Sequence, residues 1–138
     1  LTTLPRHMAR HWPPLLVIHG DADITVSPHN AAAATATWAH AAGAGAGAIA
    51  GGGTEAGARA GVPRQVQRGK RHPMLVTDFT HRGTLVASLV QVAKLGHAWS
   101  GGAAGQPFSD ALGPDASRMV WAFAARQFRS RAAATSLN

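Results

Sequence analysis

The most restrictive feature of this sequence is a short apolar run with closed ends. Pro13-Pro14 leads into Leu15-Leu16-Val17-Ile18, and His19-Gly20 follows at once. A continuous apolar run of this length predicts a strand buried on both faces, as strands of parallel sheets are. Ser27-Pro28 then supplies an N-cap followed by proline at the first helical position. The alanine-rich stretch to Ala42 favours helix, and Gly43 suits its end. The opening of the chain is thus a strand, loop and helix unit, preceded by residues 1–12, which show no period.

Residues 43–61 are dominated by glycine and alanine. The backbone entropy of glycine argues against regular structure, so this stretch is expected to be a flexible surface insertion. It lacks G-x-G-x-x-G spacing and follows a helix, which argues against a dinucleotide site. Two strand signals come next, at residues 74–79 and 84–95, with Arg82-Gly83 between them as a turn. The pair is a hairpin or two neighbouring strands. Gly113-Pro114-Asp115 opens the last helix, in which Met119, Val120, Phe123 and Phe128 are expected to face the core.

With 138 residues the chain has room for one small domain. Its apolar fraction of 46% is ordinary, but much of it is alanine, so a few Leu, Val, Ile, Phe and Trp residues must supply the core. No apolar run approaches the roughly 20 residues of a membrane span. No signal peptide is visible, although the chain begins at Leu1 without an initiator methionine. A net charge of +7 raises the question of nucleic acid. The basic residues are scattered, apart from Arg68, Lys70, Arg71 and His72, which argues for a basic surface instead. The absence of cysteine excludes disulfides and thiolate chemistry.

Two constellations carry chemistry. The first is His19-Gly20-Asp21-Ala22-Asp23, directly after the buried strand. Carboxylates at a strand's C-terminal end sit where open α/β sheets gather their reactive groups. Asp23 can hold an imidazole in one tautomer, or Asp21 and Asp23 can simply cap a turn. A metal site from His19, Asp21 and Asp23 lacks further ligands at a recognisable spacing. The second constellation is Gly96-His97-Ala98-Trp99-Ser100-Gly101-Gly102, at the end of the second long strand. Flanking glycines let the chain turn and leave His97 exposed, positioned to act as general base and then acid. Taken by itself, a single histidine is more often structural or simply exposed.

Together these segments resemble the poly(3-hydroxybutyrate) depolymerase-type esterases, a branch of the α/β hydrolases that includes feruloyl and acetylxylan esterase relatives. The matching pieces are residues 14–23 with Val26, the G-H-A-W-S-G-G string at 96–102, Phe108-Ser109-Asp110 and Gly113-Pro114-Asp115-Ala116-Ser117. H-G-x-x-D is widespread among α/β hydrolases, whereas G-H-A-W-S-G-G followed by G-P-D-A-S is much more specific. The resemblance implies the C-terminal part of an α/β-hydrolase fold, with mostly parallel strands and flanking helices. It implies Asp23 as triad acid, with Asp21 as the alternative, and His97 as triad base. Trp99 would line or roof the acyl pocket, or else pack under the loop, and His19 would belong to the hydrogen-bonding scaffold. The implied partner is an ester substrate, a hydroxyalkanoate polymer or oligomer or an aryl or sugar ester. No cofactor, metal, nucleic acid or membrane is implied. Intact relatives are frequently exported, so the expected location is extracellular.

The sequence departs from the family in one large respect. No G-x-S-x-G nucleophile elbow exists in these 138 residues. The serine, the N–H after it and the oxyanion-hole loop are expected upstream of Leu1. Ser27, Ser88, Ser100, Ser109 and Ser117 lack the flanking glycine pattern of an elbow. The chain alone is therefore expected to be inactive.

Overall fold

The computed structural model describes residues 12–44 and 57–135. Strand β1 (Leu15–Gly20) leads through a loop into helix α1 (Pro28–Ala44). Short strands β2 (Arg59–Ala60) and β3 (Arg64–Val66) precede the long pair β4 (Met74–His81) and β5 (Thr84–Val92). Two-residue strands β6 (Trp99–Ser100) and β7 (Ser109–Asp110) follow, and helix α2 (Ala116–Thr135) ends the described chain. The main sheet runs in the order β1-β5-β4-β2, with β3 also paired to β4.

The mostly parallel sheet implied by the resemblance is not what these strands form. In the main sheet only β1 and β5 are parallel, from Leu15 opposite Ala87 to Gly20 opposite Val92; β4 runs antiparallel to β5, β2 and β3. The cause is local. Arg82 and Gly83 both take positive φ, 50° and 78°, which reverses the chain in a tight turn and joins β4 to β5 as a hairpin. Among the described residues the protein is therefore of mixed α/β content, with a mixed sheet and two helices.

Strand alternation sorts the core into two sides. Met74, Val76, Val90 and Val92 form one cluster with Leu95, and Leu16, Ile18 and Met119 of α2 pack against it. Ala87 and Leu89 point the other way and are buried where α1, through Ala31, Thr35 and Ala39, meets β1 and β5. Both helices start as their sequences predict. Ser27 Oγ accepts the His29 N–H at 3.3 Å, and Asp115 Oδ1 accepts the Arg118 N–H at 2.9 Å, each satisfying an N–H of a first turn.

Several boundaries differ from expectation. Helix α1 carries Gly43 inside it and ends at Ala44, because one glycine among alanines costs only about 1 kcal/mol. The flexible insertion expected over residues 43–61 is ordered at its end, where Arg59–Ala60 pairs with β4 and Gly61 N–H donates to Asp78 O at 2.8 Å. Residues 45–56 of that insertion lie outside the described residues. The strand expected to reach Leu95 stops at Val92, because Lys94 takes a positive φ of 61° in the turn that follows. On α2, Met119 and Phe123 face inward, but Val120 is exposed and Phe128 is 65% exposed. Phe128 lies five residues beyond Phe123, about 140° around the helix at 3.6 residues per turn, and so leaves the core face.

Candidate active site

Parallel pairing of β1 with β5 brings their C-terminal ends side by side, and the loop after each end carries one of the two candidate groups. Asp21 N–H donates to Val92 O at 3.0 Å and Ala22 N–H to Leu95 O at 3.1 Å, which lash the loops together. Gly20 makes this possible. A Cβ there would collide with the Leu95 carbonyl oxygen, so only glycine permits the approach.

Asp21 and Asp23 then separate in role. Asp21 Oδ1 accepts the Lys94 N–H at 2.7 Å and holds the turn after β5. The Asp23 side chain is buried, with one oxygen held by backbone: Oδ1 accepts the N–H groups of Thr25 and Val26, both at 2.9 Å. The other oxygen, Oδ2, accepts His97 Nδ1–H at 3.0 Å. A carboxylate is an acceptor only, so the proton of this contact sits on Nδ1 and leaves Nε2 as the second imidazole nitrogen. The Val26 N–H does most to lower the Asp23 pKa; burial opposes it, and His97 and Thr25 add to the lowering. The result is a carboxyl group brought from its ordinary 3.8 down to about 2.

His19 completes the acid loop without joining a metal cluster. Its Nε2–H donates to Val26 O at 3.0 Å and lies 3.6 Å from Asp23 Oδ2. The contact braces the turn that supplies both N–H groups to Asp23. Asp21 is turned toward Lys94, and among the described residues no three His, Asp or Glu side chains converge as a cation site.

The histidine loop is held from its C-terminal side. Trp99 N–H donates to Phe108 O at 2.7 Å and Gly101 N–H to Asp110 O at 2.8 Å, forming the β6–β7 ladder. Gly101 has φ 74°, and a Cβ there would come within 2.6 Å of Asp115 Cα. Ser100 is buried and donates to Pro114 O at 2.6 Å. Residues 110–113 are gripped in turn by the turn before β4. Arg71 Nη1 donates to Gly113 O at 2.6 Å and to Ala111 O at 3.3 Å, and His72 Nε2 lies 3.3 Å from Asp110 Oδ2. Part of the basic run at 68–72 therefore has a structural task.

The His97 side chain is 48% exposed and borders a cavity of about 550 Å³. Leu16, Ile18, Val26, Trp99, Phe108 and Val120 give the cavity its apolar wall. Trp99 is placed there, with 54% of its surface exposed, so it lines the cavity and is not packed beneath the loop. Compared with models of known protein families and with curated proteins, the chain matches none.

Among the described residues no serine hydroxyl bonds to His97. Ser88 donates to Asp78, Ser100 to Pro114 O and Ser109 to Ala103 O, while Ser27 caps α1. Sequence reasoning missed two features of the site. One is the Arg71–His72 grip, which spans some forty residues and leaves no local signal. The other is Phe108, whose ring stands edge-on to His97 with centroids 6.1 Å apart and planes at 84°. The quoted Phe108-Ser109-Asp110 string contained it, but nothing in its spacing singles out the aromatic ring.

Proposed function

We propose that this chain supplies the acid and base of a serine-type carboxylic ester hydrolase, as the C-terminal part of an α/β-hydrolase fold of the poly(3-hydroxybutyrate) depolymerase type. The observation that carries the reading is the Asp23–His97 couple. One carboxylate oxygen is fixed by two backbone N–H groups, the other takes the Nδ1 proton at 3.0 Å, and the imidazole borders an apolar cavity. Such a couple fixes the tautomer in which Nε2 is basic, and it stabilises the imidazolium that forms when Nε2 accepts a proton.

In the proposed reaction His97 Nε2 takes the proton of a serine hydroxyl as the oxygen attacks the ester carbonyl. It then delivers that proton to the departing alcohol. Water repeats the cycle on the acyl-enzyme and releases the acid. No G-x-S-x-G elbow occurs in these 138 residues, so in this reading another stretch of polypeptide brings the serine and its oxyanion-hole donors to Nε2. The open edge of β1, which has β5 as its one neighbour among the described residues, is the side on which further strands would extend the sheet. The substrate in this reading is a hydroxyalkanoate ester, and the setting is extracellular. No helix among the described residues is long and apolar enough to cross a membrane.

The test is to produce these residues joined to the polypeptide encoded upstream of Leu1 and to measure hydrolysis of a short 3-hydroxybutyrate ester. Hydrolysis that His97→Ala and Asp23→Ala each lower by at least about 10³-fold supports the reading. Hydrolysis indifferent to both substitutions removes it.

A further inference from the structure

Phe108 stands out from every other aromatic residue in the described chain. Its φ of 53° lies in the left-handed region, which a bulky side chain avoids. The two other non-glycine residues with positive φ are Arg82, in the hairpin turn, and Lys94, whose N–H is taken by Asp21. Both reverse the chain and expose a flexible charged side chain. Phe108 also sits in a turn, but it exposes a bulky aromatic ring in place of a flexible charged side chain.

The backbone around it is fixed: its carbonyl accepts the Trp99 N–H at 2.7 Å, and Ser109 Oγ donates to Ala103 O at 2.8 Å. The ring gains no burial in return, since Phe108 is 75% exposed. A strained, pinned and exposed aromatic residue beside a catalytic-type imidazole is the pattern in which strain serves a site. The ring lines the cavity with Trp99 and meets His97 edge-on. The basic side chains in that lining are His19 and His97, and both lie against its one carboxylate, Asp23, at 3.6 Å and 3.0 Å. A bound carboxylate would meet the charge of Asp23 and compete with it for those imidazoles, whereas an uncharged apolar group would find aromatic faces.

We infer that Phe108 is a specificity-determining residue, whose ring forms with Trp99 an aromatic wall that receives the neutral, apolar part of an ester at His97 and excludes carboxylates. This rests on the ester-hydrolase reading, which it deepens by giving the site a selection rule.

The experiment uses the full 138-residue chain, isotope-labelled, with methyl phenylacetate as a neutral probe and phenylacetate as its charged counterpart. Nuclear magnetic resonance follows the His97 Cε1–H, the Trp99 indole N–H and the His97 Nδ1 proton. The neutral ester is expected to shift the first two saturably and the anion to bind much more weakly. Phe108→Ala is expected to weaken ester binding about tenfold, and Phe108→Tyr to preserve it, with the Nδ1 proton unchanged in both. The inference is overturned if the wild-type chain does not bind the ester, if the anion binds as well, or if Phe108→Ala binds like wild type. Loss of the Nδ1 proton in Phe108→Ala also overturns it, since the ring would then merely hold the imidazole. Absence of that proton from the wild-type chain is a separate failure, that of the acid–base couple itself.

Discussion

Asp23 is held by two backbone N–H groups of its own loop before His97 contributes anything, so its acidity is largely a property of the 23–26 turn. The turn sets the pH range. The folded pKa of about 2 lies below the ordinary 3.8, so the stabilisation is complete above about pH 4 and is lost as pH falls through 2. Carbon-detected titration of the Asp23 carboxyl should give a midpoint near 2, and Asp23→Asn should abolish the stability change across that window. Phe108 poses the opposite case, a side chain its backbone resists. Because asparagine tolerates the left-handed region, Phe108→Asn is expected to raise stability by about 1 kcal/mol in denaturant titration, while removing the ring from the cavity. Asp23 and His97 were legible in the sequence because glycines and a strand end surround each of them. The tension at Phe108 was not, since φ is dictated by a ladder between two-residue strands that have no period to read.

Strands and helix starts follow from patterns within a few residues, which explains why β1 as a strand, the hairpin and both N-caps agree with the sequence. Strand β1 is nevertheless half-buried at the sheet's edge and not buried on both faces as its apolar run predicts. Direction and facing depend on partners farther away. The sheet is mixed because Arg82-Gly83 turns β4 back along β5, and Phe128 leaves the core because α2 offers β1 and the β4–β5 cluster a single narrow face. That contrast is measurable. Met74→Ala removes a side chain from the buried cluster and is expected to cost about 2–5 kcal/mol, whereas Phe128→Ala should change stability by less than about 0.5 kcal/mol. At the end of β1, Gly20→Ala drives a methyl group into the Leu95 carbonyl. The expected cost is about 2 kcal/mol or more in denaturant titration, with the His97 Nδ1 proton signal broadened or lost.

On the scale of the whole molecule, β1 ends the sheet with one side unpaired among the described residues. An exposed edge of this kind pairs with other chains. Sedimentation of the 138-residue chain should therefore show association that rises with concentration, and Val17→Lys should reduce it. A monomer that is insensitive to concentration contradicts this. The parallel register of β1 with β5 also has a consequence for how this protein tolerates change. Together with the bonds that lash the two loops, it brings Asp23 to His97, 74 positions away in the sequence, so their spacing is set by a strand ladder and not by the length of chain between them. A change in the number of residues between α1 and β2 therefore leaves the spacing of Asp23 and His97 where the β1–β5 register sets it.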